Sequence, residues 1–359
     1  MVKLFARLVF VTLVSVLVLG AVTNIGVVQA ATEVSGVIAS DTTWTQANSP
    51  YSLTGPVGVS EGVTLTIEPG VTVNLNSHFI QVNGTLQAQG TETEQIQFSG
   101  GEIDFTEYSS DWDEQTGNGC IIEQAIFTST TVDMRSSTKI CDNSFTDCLI
   151  RPIGTGDPND VSPIIANNTL NGEGRSYGII SAYSSANITQ NTVTGYENGL
   201  QLKSDTSVVQ GNYITNNDVG VHVYLFQGTV APIIKNNTII GNDDGIYVSK
   251  VMTVPFSPTI VYNDIHSNTN YNINLDAIPY DINATYNWWG TTNTTEIGQK
   301  IYDSNEDFTL GTVTFDPFLT EQNTDITPEF PAWIFLSLLL TITMFAVICK
   351  RRYLDTKSD

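Results

Sequence analysis

Short apolar runs alternate with polar turns down most of this chain, at a period of about two dozen residues. Their common core is apolar-x-x-Asn-x-apolar, as in Ile165-Ala-Asn-Asn168-Thr-Leu170 and Ile234-Lys-Asn-Asn237-Thr-Ile239. The Asn falls at Asn143, Asn168, Asn191, Asn212, Asn237, Asn263 and Asn287, at intervals of 25, 23, 21, 25, 26 and 24 residues. Ala125 takes the same place 18 residues before Asn143. In the middle repeats a second run follows, Gly-apolar-x-apolar, at Gly199, Gly220 and Gly245, with Gly178-Ile-Ile-Ser in the same place one coil earlier. Period-two alternation in both runs predicts strands, and clusters such as Asn-Asn-Asp and Asn-Asp-Asp predict the turns between them. No strong helical periodicity lies between residues 31 and 329.

A repeat of this length cannot bury an apolar face by itself, but stacked copies can, so the pattern predicts a solenoid of parallel strands. Equivalent strands of successive coils pair at about 4.8 Å, which lines up their Ile, Val and Leu. The recurring Asn follows from the same stacking. A side-chain amide both donates and accepts, so it can hydrogen-bond to its copy above and below. The expectation is an all-β parallel solenoid of about a dozen coils. N-terminal coils with an acidic loop span 31–119, Asn-ladder repeats span 120–290, and a C-terminal cap spans 291–320.

The ends of the chain read differently. Residues 1–30 carry Lys3 and Arg7, an apolar run from Leu8 to Val22 and the small-residue site Val28-Gln29-Ala30, the pattern of a signal peptide. After a linker at 321–329, residues 330–349 form an uncharged apolar run long enough for a transmembrane helix. Lys350, Arg351 and Arg352 open a basic tail, 350–359, which the positive-inside rule keeps in the cytoplasm. The segment between is expected at the cell surface, facing outward.

That segment holds 35 acidic and 8 basic residues, a net charge of −27 against −23 for the whole chain. Such a balance disfavours nucleic acid as a partner, because phosphate would be repelled. Three cysteines, Cys120, Cys141 and Cys148, lie outside the apolar tail and cannot all pair within one chain, so this is not a disulfide-built scaffold.

Several segments resemble a known group. Trp44-Thr-Gln-Ala-Asn-Ser-Pro-Tyr-Ser-Leu-Thr-Gly, Thr64-Leu-Thr-Ile-Glu-Pro-Gly-Val-Thr-Val, the Asn repeats, Tyr286-Asn-Trp-Trp-Gly290 and Phe315-Asp-Pro-Phe-Leu319 are similar to the NosD-like group of right-handed parallel β-helix proteins. The resemblance covers roughly residues 33–320. It implies a right-handed β-helix, and copper through the group's name. Pro328-Glu-Phe-Pro331 before the apolar run resembles the archaeal Pro-Glu-Phe sorting signals, which would imply an archaeal source and removal of the helix by a sortase-like enzyme.

Candidate chemistry is sparse. Hydrolysis of a polysaccharide would use paired carboxylates. Asp218, Asp243 and Asp244 are the candidates, because Asp218 and Asp243 each stand six residues after a ladder Asn. Asp before Gly is also ordinary turn chemistry, and the Gly-His-Gly and Arg-Ile-Lys elements of pectin-hydrolysing β-helices are missing. Calcium is a candidate at Asp111, Asp113 and Glu114, but without a calcium-loop spacing. Copper would need converging His, Met or Cys; His78, His222 and His266 lie far apart in the repeat frame. The expectation is therefore no cofactor. A binding face is better supported. The place two residues after the repeat Gly holds Gln201, His222 and Tyr247 on successive coils, and two places further on stand Lys203 and Tyr224. Aromatic and polar side chains aligned on a flat sheet suit the stacking of sugar rings. Glycosylation sequons occur at Asn83, Asn167, Asn187, Asn236, Asn283 and Asn293.

These readings lean away from an enzyme. The expected protein binds glycans or other cell-envelope partners, held to the membrane through its C-terminal helix. A carbohydrate-active enzyme is the alternative, and a purely structural envelope protein the second.

Overall fold

The computed structural model describes residues 30–154, 161–228 and 230–324. The expected signal peptide (through Gln29), transmembrane helix and basic tail lie outside the described residues. Among those described, no helix is long and apolar enough to cross a membrane.

The chain winds into a solenoid in which every strand pairing is parallel. Each coil contributes three strand segments rather than the two expected. In the coil of Asn212 these are Val208–Gln210, Tyr213–Thr215 and Val219–Leu225. The first segments stack into a ten-stranded sheet, and the second and third share a 17-stranded sheet. The long sheet is continuous because some strands run unbroken around the corner, as Thr192–Lys203 does. Ten strands in the shorter sheet make about ten turns, somewhat fewer than a dozen.

One local device closes each coil. The residue before every ladder position has a positive φ: Gln124, Asp142, Asn167, Gln190, Gly211, Asn236, Tyr262 and Tyr286. This left-handed residue swings the chain from the shorter sheet to the long one. The Asn that follows is buried. The Asn191 N–H and Nδ2 both donate to Asn212 Oδ1, at 2.9 and 3.0 Å, while Asn212 Nδ2 donates to the Ile188 carbonyl at 2.8 Å. The same set recurs along the stack. It begins at Ala125, whose N–H donates to Asn143 Oδ1, and ends at Asn287, whose Nδ2 reaches the Ile260 carbonyl. A second ladder, unforeseen in the sequence reading, stands five residues further on. Tyr196 N–H donates to Asn217 Oδ1, Asn217 to Asn242, and Asn242 to Asn268.

The apolar positions form columns through the interior. Ile122, Ile140, Ile165, Ile188, Val209, Ile234 and Ile260 align on the shorter sheet. Phe98, Phe127 and Phe145 stack on the long one, with centroids 4.9 and 4.5 Å apart. All of these are at most 1% exposed. Fully burying side chains of this size contributes about 1.5–3 kcal/mol each, so the columns carry much of the stability.

Residues 106–119 leave the coil as a loop, tied back by Trp112 N–H to the Ser137 carbonyl. After the last ladder Asn comes a short helix, Thr294–Gly298, capped by Asn293. Val313–Thr314 then pairs with Ile282–Asn283. Phe315 and Phe318 pack against the core. Cys120, Cys141 and Cys148 are free and buried. Burial pushes the Cys120 thiol up to about 12 and that of Cys148 up to about 11, so neither is a ready nucleophile.

Candidate ligand-binding face

Register sets the side chains of the long sheet in outward columns. One runs Gln81, Asp104, Asp133 and Arg151 on four neighbouring coils. Further along the same sheet, Ile180, Gln201, His222, Tyr247, Asn274 and Tyr302 pair in sequence. Beside it stand Ala182, Lys203, Tyr224, Ser249 and Asp276. The alignment of Gln201, His222 and Tyr247, and of Lys203 with Tyr224, is the one read from the sequence.

The second stretch is knitted together by polar contacts. Gln201 Nε2 lies 3.1 Å from His222 Nδ1, and His222 Nε2 lies 2.7 Å from Ser249 Oγ. An amide nitrogen only donates, so Nδ1 accepts and Nε2 carries the proton towards Ser249. Burial pushes the imidazole down to about 4, so the ring is neutral at physiological pH. In this tautomer His222 cannot take a proton from Ser249. Gln201 is only 9% exposed and acts on His222 rather than presenting itself. Next to His222, Tyr224 and Tyr247 lie with ring centroids 5.5 and 5.0 Å away. Tyr247 Oη donates to Asp276 Oδ2 at 2.6 Å. Burial, then the Asp276 carboxylate, raises the tyrosine's pKa and keeps it a phenol. A shallow depression of about 280 Å³ opens between Tyr247, Tyr271, Asn274, Asp276 and Tyr302.

Lys203 sits among rings. Its Nζ is 4.7 Å from the centre of Phe226, 5.8 Å from Tyr224 and 5.9 Å from Tyr183. Cation–π attraction holds the ammonium over these faces without neutralising it.

The first stretch is charged, and the sequence reading passed it over. Glu102, Asp104 and Asp133 bring carboxylate oxygens within 4.8 Å of one another. Arg135 pairs with Asp104, and Arg151 grips Asp133 through both Nε and Nη2. Burial, then repulsion from Asp133 and Asp104, raises the Glu102 carboxyl. The signal was present as three apolar-charged-apolar triplets, Ile103-Asp-Phe105, Val132-Asp-Met134 and Ile150-Arg-Pro152.

The remaining candidates are dispersed. Asp218 and Asp243 stand on neighbouring coils and are both exposed, while Asp244 accepts from Asn274 Nδ2 at 2.8 Å and from Tyr271 N–H at 3.2 Å. Asp111 accepts from Ser137 N–H, Asp113 from Gln115 N–H, and Glu114 pairs with Lys139, so the calcium candidates point to separate partners. Among the sequons, Asn167, Asn187, Asn283 and Asn293 are exposed. Asn83 accepts from Thr106, and Asn236 accepts from Asn323.

The model of the right-handed β-helix region matches residues 156–305 of this chain, and that of the periplasmic copper-binding protein NosD matches residues 68–229. The chain is thus a right-handed parallel β-helix. More narrowly, residues 68–229 are similar to the NosD family. Similar solved structures include crystal structures of the periplasmic alginate epimerase AlgG. A single-substitution mutant is 14% identical, covers 81% of this chain and 83% of that one, and has a TM-score of 0.46. Another structure of AlgG is 14% identical, covers 74% and 75%, and has a TM-score of 0.38. No curated protein matches the chain.

The copper in that family description has to be weighed against the donors present. Copper favours convergent imidazole, thiolate or thioether. Among the described residues, the close-set groups of metal-ligating side chains are Glu102–Asp104–Asp133 and Glu123–Cys141–Asp142. The first is paired with arginines. The second offers one thiol, which burial, then the neighbouring Glu123, holds protonated. His222 and His266 already face Ser249 and Ser267. These donor sets do not fit a copper site. The expectation of no cofactor, for its part, gains no support from a family described as copper-binding.

Proposed function

We propose that this is an exported, surface-held β-helix protein that binds glycans on the outward face of its long sheet without cleaving them. The observation that carries the reading is the pair of aligned columns from Gln201 to Tyr302 and from Lys203 to Asp276. They set aromatic rings and hydrogen-bonding groups side by side at the coil spacing. Tyrosine presents a large rigid surface for stacking with a polar tip, which suits a ligand that is apolar on its ring faces and polar at its edges. Export is supported by the signal-peptide pattern and by a family described as periplasmic. The His222 tautomer supports binding over nucleophilic chemistry. The decisive experiment incubates the purified full-length protein with neutral and acidic polysaccharides and reads bound protein and chain cleavage together. Binding without cleavage is expected; cleavage, or no binding to any polysaccharide, would sink the reading.

A second reading, a carbohydrate-active enzyme, rests on Glu102 beside Asp133. A carboxyl whose pKa burial raises, set beside one gripped by an arginine, resembles the unlike pair of carboxyls that glycoside hydrolysis uses. Against it, Asp133 is 1% exposed and both its oxygens are engaged by Arg151, which leaves no path for a sugar to reach it. Cleavage abolished by Glu102→Gln would move the function to that end of the sheet. Cleavage abolished instead by changing Asp218, Asp243 and Asp244 to Asn would place it in the turns.

A further inference from the structure

The basic residues of the long sheet differ in one respect. Arg135, Arg151 and Arg175 are each paired, with Asp104, Asp133 and Asp147. Lys203 and Lys250 have no carboxylate partner among the described residues; Lys250 faces one aromatic ring, that of Tyr280, and Lys203 faces three. In a chain of net charge −23, a partly buried cation left unpaired beside aromatic rings is out of keeping with its surroundings. Three coils along the same column stands Asp276, exposed and accepting from Tyr247. At the usual strand separation the two are about 14 Å apart. The column is therefore positive at one end and negative at the other, with Tyr224 and Ser249 between.

Sugar rings strung along the solenoid axis are spaced much as the coils are, so successive residues of a linear glycan would meet Lys203, Tyr224, Ser249 and Asp276 in turn. A glycan with a charge on every residue would set one carboxylate against Asp276. A neutral residue there would instead donate its hydroxyls to that carboxylate. We propose, building on the glycan-binding reading above, that Lys203 is the anion-recognising residue of this face. Its ligand is a linear acidic glycan whose carboxylate-bearing residues are separated by neutral ones. The carboxylate sits on the Lys203 ammonium, the next ring packs on Tyr224, and the neutral residue three places along meets Asp276.

The test is calorimetry of the full-length protein with three probes: hyaluronan, in which uronate and N-acetylhexosamine alternate; polygalacturonate, charged on every residue; and a neutral galactan. Hyaluronan should bind about tenfold more tightly than either of the others, the size of one charge-assisted contact. Lys203→Met, which keeps the packing against Phe226, should erase the preference over galactan while leaving that over polygalacturonate, which Asp276 sets, and Lys203→Arg should keep both. Equal binding of hyaluronan and galactan, polygalacturonate binding as tightly as hyaluronan, or a preference over galactan that survives Lys203→Met would each overturn the proposal while leaving glycan binding in place. Binding of none of the three would remove the parent reading as well.

Discussion

The turn that carries the ladder and the outward face of the long sheet repeat at the same interval, once per coil, yet they are finished differently. Every polar group of a ladder Asn is consumed within the solenoid. The Asn237 side chain accepts from Asn212 N–H and Nδ2, and donates to Asn263 Oδ1 and to the Val209 and Lys235 carbonyls. The face is only partly closed. His222 has both nitrogens engaged, but the Lys203 ammonium has no anionic partner among the described residues. Repetition by itself is thus no sign of function. What separates a scaffold column from a recognition column is whether its hydrogen-bonding and charge capacity is used up internally.

That difference can be broken at several points. The largest effect belongs to the ladder. Asn212→Ala would strip the acceptor from Asn191 N–H and Nδ2 and leave buried donors unsatisfied, a cost of about 4 kcal/mol with the lost packing included. Urea unfolding should show the midpoint fall; a change under about 1 kcal/mol would mean the ladder is dispensable.

Asp205 tests the interior from another side. It is fully buried and held by Ser181, Ser184 and Ser207, yet no cation among the described residues pairs with it. Burial, only partly offset by hydrogen bonds from those serines, pushes its carboxyl from 3.8 up to about 6. A raised acid favours the folded state while it is protonated. Its stabilisation is therefore complete below about pH 4 and is lost as pH rises through about 6, a difference of about 3 kcal/mol. Asp205→Asn should remove that slope, so the gap between variant and wild type should widen in the variant's favour from pH 4 to pH 7. Parallel curves would show that Asp205 does not titrate in that window.

The charged stretch should fall between the two extremes. Asp133→Ala leaves Arg151 without its partner, but Arg151 is 38% exposed and solvent screens much of the loss, so about 1–2 kcal/mol is expected by thermal unfolding. The face itself should register in binding more than in stability. Tyr224→Ala with Tyr247→Ala should weaken glycan binding at least tenfold, while stability to urea drops by less than about 2 kcal/mol, since both rings are only partly buried. If stability collapses instead, these tyrosines belong with the scaffold.

Much of the scaffold was legible before any coordinates, because the ladder Asn is a fixed anchor. The chain always turns at the residue before it, so Ile122, Ile140 and Ile165 had to align. The Lys203 and His222 columns were legible for the same reason, since coils 191–211, 212–236 and 237–262 share one offset from Asn to strand. The charged column was not. Asp133 follows Ala125 by 8 residues and Arg151 follows Asn143 by 8, whereas Gln201, His222 and Tyr247 follow their Asn by 10. Asp133 and Arg151 share their own offset, but no ladder position precedes Asp104, so only the observed pairing places it in their row. The second ladder was within reach at a constant five residues, but Tyr196 stands where its first Asn would be and hides the start.

The left-handed residue before each ladder position has a consequence for how such a chain changes over time. All variation in coil length, from 18 to 26 residues, falls between one such turn and the next, and the turn itself is the same everywhere. A cut at two of these turns therefore removes one whole layer and leaves matching ends. Excising residues 191–211 would bring Gln190 directly before Asn212, with the ladder intact and the solenoid shorter by about 4.8 Å. That layer is also the one that carries Lys203. The molecule is thus divisible into interchangeable sheets one coil thick, and a recognition specificity can be lost, copied or moved along the axis as a single cassette without refolding the rest.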